Sequence, residues 1–240
     1  TLSSAASDVY KRQIFIPSNL EEAKIMATSV YGKNVVAVHG NYDEVNRLCT
    51  EVLGSKKWGF VNINLRTYYA EGSKTVGYEI MEQLGWKAPK NIVCCMASGS
   101  LLTKIYKSVQ EFVNLGIVED VGTKIYGAQA SGCSPISTAI KNDWETFKPV
   151  KPDTIAKSLA IGNPADGINA INLMRGINSY SEEVTDEEIV EAMKLLAETE
   201  GIFTETAGGV TLGCAKKMID NGQISRDEDL VLIITGNGLK

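Results

Sequence analysis

The chain has 240 residues, of which 44% are hydrophobic and 22% are charged, a balance typical of a globular protein with a substantial core. Its formal net charge is −5 and it carries no basic run, which argues against nucleic acid or an anionic membrane as the main partner. No stretch approaches the ~20 apolar residues that a membrane-spanning helix needs.

The histidine and cysteine content narrows the possible chemistry. His39 is the only histidine, so histidine-based metal sites and Ser-His-Asp or Cys-His catalysis are poorly supported. The five cysteines show no C-x-x-C spacing, and we interpret them as reduced core residues of a cytoplasmic protein. An enzyme of this composition would draw its acid–base chemistry from lysines, carboxylates or a cofactor.

Residues 1–13 differ from the rest of the sequence. They follow neither the helical nor the strand period, and they lack the apolar core of a signal peptide. From Ile14 the sequence passes directly into a strand pattern, as if it entered a domain partway through. We therefore predict that residues 1–13 are a non-native lead, and we leave them out of the fold prediction.

Strand and helix patterns alternate from Ile14 onward. Apolar runs predict strands at 14–16, 34–38, 59–63, 91–96, 124–128 and 230–234. Apolar stripes at helical spacing predict helices that open near residues 18, 43, 72, 102, 133, 185 and 207. Two of these helices begin with capping-box pairs, Ser18 with Glu21 and Thr185 with Glu188.

This alternation predicts an α/β fold with doubly wound parallel sheets and helices on both faces of each sheet. The first set of strands and helices ends near residue 65, so we predict one domain at 14–65 and a larger domain at 66–240. In such sheets ligands bind beyond the carboxyl ends of the strands.

The unit from residue 91 to residue 115 is the most informative part of the sequence. Its strand is apolar without alternation, as expected for a strand covered on both faces. The small residues 97–100 then form a turn before an amphipathic helix. Such a turn presents free backbone N–H groups to an anionic phosphate, although many similar turns hold no ligand. The turn at 235–238 also follows a strand, so both turns indicate one site.

Five short motifs, in order and at fitting intervals, resemble those of threonine synthase, a fold-type II enzyme that uses pyridoxal 5′-phosphate. They are Glu71–Thr75, Ala97–Thr103, Ala160–Gly167, Glu205–Gly209 and Thr235–Lys240. The resemblance runs from about residue 14 to the end of the chain. It implies the tryptophan synthase β-like architecture, incomplete at the N-terminus. Residues 14–65 would be the remainder of the small N-terminal domain, and 66–240 would be the large cofactor-binding domain.

The resemblance implies a set of cofactor-binding residues. The cofactor phosphate would bind the backbone N–H groups and serine hydroxyls of a turn made of Ala97, Ser98, Gly99, Ser100 and Leu101. Asn163 would line the pocket. Thr235 would hydrogen-bond the pyridine nitrogen, and a neutral hydroxyl there would leave the ring a moderate electron sink. Without a cofactor, these residues are explained as a tight βα turn, a helix-starting turn and a threonine that satisfies its own turn.

The resemblance also implies a small-molecule substrate, a phosphorylated amino acid. Asn64, Arg66 and Lys74 stand where this family binds the substrate's phosphate, and an arginine fork pairs two phosphate oxygens at once. They can equally be solvated surface residues. The implied reaction converts O-phospho-L-homoserine and water to L-threonine and phosphate by β,γ-elimination and replacement.

The lysine that such an enzyme needs for its Schiff base has no counterpart in the sequence. In this family it lies in a Ser-Phe-Lys-Asp-like segment, and no such segment occurs here. We therefore expect a truncated chain whose lysine would lie upstream of Ile14. The fragment alone should be inactive, and the full-length protein could form a homodimer.

Three alternatives remain open. The first is another fold-type II enzyme of the threonine dehydratase or cysteine synthase type. The second is a non-catalytic homologue that binds pyridoxal phosphate or phosphate without the lysine. The third, a nucleotide-binding α/β protein, is poorly supported because neither a G-x-G-x-x-G nor a Walker pattern occurs.

Overall fold

The computed structural model describes residues 12–32, 34–61 and 66–239, except for the side chain of Arg66. The chain divides into two compact units between residues 64 and 65, and each unit is described by itself. Within the described ranges, no helix has both the length and the hydropathy that crossing a membrane requires.

The first unit contains a two-stranded parallel sheet. Its described elements are β1 (Ile14–Pro17), α1 (Glu22–Tyr31), β2 (Val35–Val38) and α2 (Tyr42–Ser55). The register pairs the first residue of β1 with the first residue of β2. A capping box between Asn41 and Glu44 starts α2. A small core, consisting of Val45, Cys49 and Phe60, holds α2 in place.

Two predictions in the first unit are wrong. The capping box between Ser18 and Glu21 does not form, because the Ser18 N–H extends the strand pairing to the Val38 carbonyl at 2.8 Å and α1 begins four residues later. The predicted strand at 59–63 is also not formed over the residues described, since Phe60 has no regular structure and the next residue is helical. Phe60 is buried through its side chain rather than by strand pairing, and its ring packs 5.9 Å from that of Phe15.

The second unit contains four strands and seven α-helices among its described residues. In chain order they are α3 (Arg66–Gly72), α4 (Thr75–Gln83), β3 (Asn91–Cys95), α5 (Ser100–Asn114), β4 (Lys124–Ala130), α6 (Pro135–Lys141), α7 (Gly167–Gly176), β5 (Ser181–Val184), α8 (Asp186–Glu200), α9 (Thr206–Asp220) and β6 (Leu230–Leu232). The strand order is β5-β4-β3-β6, and every neighbouring pair is parallel.

Helices cover both faces of this sheet. Ile92 and Cys94 of β3 belong to a core formed with α4, α5, α6 and α7, whereas Val93 and Cys95 belong to a second core formed with α8 and α9. All five residues of β3 are buried. The doubly wound parallel α/β fold is therefore confirmed, and β3 is one of the two interior strands of this sheet.

The predicted strand–turn–helix unit at 91–115 is confirmed, with α5 ending two residues before Gly116. The capping box of Thr185 and Glu188 is also present. The sequence analysis missed β5, whose residues are mostly polar. Ser181 and Glu182 are nevertheless buried, because Ser181 shares a 2.6 Å hydrogen bond with Ser137 and Glu182 forms an ion pair with Lys141.

Candidate active site

The turn between β3 and α5 has a left-handed glycine at its centre. Gly99 has φ +88°, a conformation that costs a residue with a side chain about 1–2 kcal/mol. A Cβ atom at Gly99 would lie 3.1 Å from the Ala170 Cβ and 3.1 Å from the Asp166 carbonyl oxygen. The turn thus lies close to the start of α7, and glycine is the residue that fits there.

The first turn of α5 presents unpaired backbone donors. Within the described part of the chain, the N–H groups of Leu101 and Leu102 make no backbone hydrogen bond, whereas the Thr103 N–H bonds to the Gly99 carbonyl at 3.2 Å. Unpaired N–H groups and the positive end of the helix dipole together favour an anion. The turn is therefore suited to a phosphate.

Ser98 connects this turn to the loop before α7. Its carbonyl accepts a 3.0 Å hydrogen bond from the Asp166 N–H, and its hydroxyl accepts one from the Ser100 N–H at 3.3 Å. Asn163 lies in the same loop, three residues before Asp166, and is exposed. The structure therefore brings the predicted segment from Ala97 to Leu101 together with the loop that carries Asn163.

Thr235 lies at the same edge of the sheet. It follows β6, which pairs with β3, and the Ile233 N–H extends this pairing to the Val93 carbonyl at 3.0 Å. The two predicted turns thus follow neighbouring strands and end at one edge.

Glu205 is a polar residue at this edge whose role the sequence analysis missed. It is the N-cap residue of α9, is 8% exposed, and accepts a 2.9 Å hydrogen bond from the Thr235 hydroxyl. The positive end of α9 stabilises a carboxylate at this position. The sequence did contain a signal for this role, because Glu205 begins the Glu205–Gly209 motif and directly precedes a predicted helix.

The cysteines of the described chain are all buried and free, as predicted. At the site, Cys95 is the last residue of β3 and is buried in the core that α8 and α9 cover. It therefore lies directly beneath the edge.

The structure does not bring Lys74 to this edge. Its Nζ forms ion pairs with Glu71 at 2.7 Å and Glu111 at 2.9 Å, and these partners raise its pKa. Glu111 lies about 16 Å along α5 from Ser100, at 1.5 Å per residue. The charge of Lys74 is thus balanced within an ion-pair network, and its role in substrate binding stays a prediction.

The other two predicted substrate-binding groups, Asn64 and the side chain of Arg66, lie outside the described residues. The backbone of Arg66 begins α3. Their roles also stay predictions.

Comparison with known proteins identifies the family. A family model described as pyridoxal-phosphate dependent enzyme matches residues 2–236, a match that begins within the segment 1–13. The chain belongs to this family. Its relatives include the threonine synthases of Methanocaldococcus jannaschii, 37% identical over 90% of this chain, and of Methanosarcina acetivorans, 35% identical over 99%. This chain spans 53% and 60% of the length of those two curated relatives.

Solved structures show the same fold. Maize serine racemase aligns with 94% of this chain and 65% of its own, with a TM-score of 0.70 and 20% identity. The processed form of threonine deaminase isoform 2 from Solanum lycopersicum aligns with 93% of this chain and 62% of its own, with a TM-score of 0.69 and 20% identity. At these identities the likeness concerns the fold alone.

The residues at the edge fit the cofactor on which the family depends. The first turn of α5 offers unpaired N–H groups, and a side chain at Gly99 would crowd the turn that presents them. A hydroxyl, that of Thr235, lies at the end of the neighbouring strand. Pyridoxal phosphate has an anionic group and a ring nitrogen that such a pair of features can hold.

Proposed function

We propose that this chain supplies the cofactor-binding part of a threonine synthase, which converts O-phospho-L-homoserine and water to L-threonine and phosphate. The phosphate-binding turn at the start of α5, with Thr235 on the neighbouring strand, is the observation that carries the proposal. The choice of reaction is supported by 37% and 35% identity to threonine synthases over at least 90% of the chain.

The chain's own residues bind and orient the reactants. The turn from Ala97 to Leu101 would hold the cofactor phosphate through N–H groups and serine hydroxyls, which fixes the ring relative to the sheet edge. Asn163 would line the ring's pocket, and Thr235 would contact the ring nitrogen. The bound cofactor supplies a ring that accepts the negative charge developed on the substrate.

A second group of residues is proposed to bind the substrate's own phosphate. The guanidinium fork of Arg66 would pair two phosphate oxygens, and Asn64 would add a hydrogen bond. Lys74 would have only a supporting part, because its ammonium group is already paired with Glu71 and Glu111. A phosphate bound in this way would be oriented for departure.

The reaction is tested on the product of the native gene. The gene is sequenced upstream of the codon for Ile14, and the protein expressed from the complete reading frame is assayed with phosphohomoserine, threonine and O-acetylserine. Equimolar threonine and inorganic phosphate from phosphohomoserine would support the proposal. Turnover of threonine or O-acetylserine instead would assign the chain to a dehydratase or cysteine synthase.

Binding by the present chain is tested separately. We propose that it binds pyridoxal phosphate in competition with inorganic phosphate, and that borohydride leaves the cofactor unattached because none of its lysines forms the Schiff base. Equilibrium dialysis followed by mass spectrometry after reduction measures both properties. A pyridoxyl group fixed to a lysine of this chain would contradict the proposal that the lysine lies elsewhere.

A further inference from the structure

The pair formed by Thr235 and Glu205 carries an inference about the proton on the cofactor ring. Their side chains are 2.9 Å apart, and Glu205 is buried at the N-terminus of α9. A carboxylate only accepts hydrogen bonds, so the hydroxyl of Thr235 is the donor in this pair.

Backbone pairing fixes the two residues relative to each other. Thr204 and Asn237 form an isolated antiparallel bridge, the Glu205 N–H bonds to the Gly236 carbonyl at 3.0 Å, and the Gly238 N–H bonds to the Phe203 carbonyl at 3.0 Å. The segments 203–205 and 236–238 are thus held in register. The hydrogen bond between the side chains is therefore part of a fixed arrangement.

The hydroxyl of Thr235 has a single proton, and in the structure it is donated to the Glu205 Oε1 at 2.9 Å. Hydrogen bonds to an ionised acceptor are roughly twice as strong as bonds between neutral groups. The proton of Thr235 is consequently directed toward Glu205, and the remaining lone pairs of the hydroxyl oxygen are available on its other side.

We propose that Glu205 is a positioning residue that makes Thr235 a hydrogen-bond acceptor, so that the ring nitrogen of the bound cofactor carries a proton taken from solvent. An unprotonated ring nitrogen would place its lone pair against the lone pairs of the Thr235 hydroxyl oxygen, which is repulsive. A protonated ring nitrogen would instead donate a hydrogen bond to that oxygen. The ring would then be a stronger electron sink than the threonine alone suggests. This inference rests on the proposed cofactor site.

The test uses pyridoxal phosphate labelled with ¹⁵N in the ring and bound to the chain. The ¹⁵N chemical shift, followed against pH, reports directly whether the ring nitrogen is protonated. In the unaltered chain we expect a protonated nitrogen at pH 7. The Glu205→Gln variant should lower the titration midpoint by at least about one pH unit, because a nearby negative charge is removed. Glu119→Gln, at an exposed position, makes the same change in net charge and should leave the midpoint unchanged.

A second pair of variants covers the case in which Glu205→Gln fails to fold. Thr235 is exposed, so its substitutions should be tolerated. Thr235→Ser keeps the hydroxyl and should keep the ring protonated, whereas Thr235→Val should lose the proton at pH 7. Melting temperatures of the variants show whether the fold is intact.

The outcomes separate the inference from the proposed function. If the chain binds pyridoxal phosphate with an unprotonated ring nitrogen, or if Glu205→Gln and Thr235→Val leave the midpoint unchanged, the inference is wrong and the cofactor site stands. If the chain does not bind pyridoxal phosphate, the cofactor site itself is wrong, and the inference fails with it.

Discussion

The two ends of α5 both carry polar groups, but these groups differ in what they contact. At the N-terminal end, the N–H groups of Leu101 and Leu102 lack backbone partners within the described residues. Toward the C-terminal end, Glu111 accepts hydrogen bonds from Lys74 and Tyr78, and Lys107 pairs with Glu71. The comparison teaches that a cluster of charges does not by itself mark a binding site, because charges can satisfy one another. Unsatisfied donors are the better indicator.

The largest expected effect on cofactor binding is that of Gly99→Ala, at the N-terminal end. The alanine would have to adopt the left-handed backbone conformation, and its Cβ would make contacts of 3.1 Å. The free energy of unfolding should therefore fall by about 2 kcal/mol. The affinity for pyridoxal phosphate should fall at least about tenfold, since the N–H groups would move. Equilibrium dialysis and denaturant titration measure the two effects.

Gly116→Ala is the matched control for that change. Gly116 follows the other end of α5, has φ +70° and has open space around its Cβ position. The substitution should cost about 1 kcal/mol of stability and leave cofactor affinity unchanged. Equal losses of affinity in the two variants would contradict the assignment of the phosphate to the turn at Gly99.

Gly77→Ala should disturb the packing of α4 against the middle of α5, away from the turn at Gly99. A Cβ atom at Gly77 would lie 1.9 Å from the Ser108 hydroxyl and 3.1 Å from the Ile105 carbonyl, so α4 would be pushed away from α5. We expect a loss of about 1–3 kcal/mol in unfolding free energy and little change in cofactor affinity. Gly72→Ala, with open space around it, should be neutral within about 1 kcal/mol in the same denaturation experiment.

Lys74→Met tests whether the ion-pair network serves structure. Because Glu111 is partly exposed, removing the pair should cost at most about 1 kcal/mol of stability. Cofactor affinity should not change. Lys87→Met removes an exposed lysine for which no ion pair is seen within the described residues, and it provides the control. A small loss of affinity for phosphohomoserine in Lys74→Met would fit the supporting part proposed for Lys74, whereas a large loss with stability intact would make it a principal substrate-binding residue.

The smallest expected effect is a dependence of stability on pH. The hydrogen bond from Lys74, followed by that from Lys107, lowers the pKa of Glu71 from 4.5 to about 2. Because the pKa is lower in the folded state, the stabilisation is fully present above about 4.5 and is lost as the pH falls toward 2. Urea titrations between pH 6 and pH 2 should show a steeper loss for the unaltered chain than for Lys74→Met. Parallel curves would show that the network contributes nothing.

The sequence predicted best the features that depend on neighbouring residues. The unbroken apolar run of β3, the small residues after it and the stripe of α5 are local patterns, as is the capping box of Thr185 and Glu188. These local patterns predicted the unit formed by β3, the turn at Gly99 and α5. The family resemblance added the position of Thr235.

The features that the sequence did not predict depend on distant contacts. The strand β5 was missed because its polar residues are buried only through Ser137 and Lys141, which lie on α6. The contact of Glu205 with Thr235 joins residues that are far apart in the chain. The ion pairs of Lys74 with Glu111 likewise become visible only when α4 packs on α5. Contacts of this kind leave no periodic pattern in the sequence.

The complete burial of β3 links the site to the stability of the whole second unit. This strand pairs on both edges and packs on both faces, so its amide hydrogens should exchange with solvent only when the unit unfolds globally. The turn at Gly99 continues directly from it. Local opening of the turn is therefore unfavourable, and heating should disrupt the turn and denature the unit in one cooperative transition.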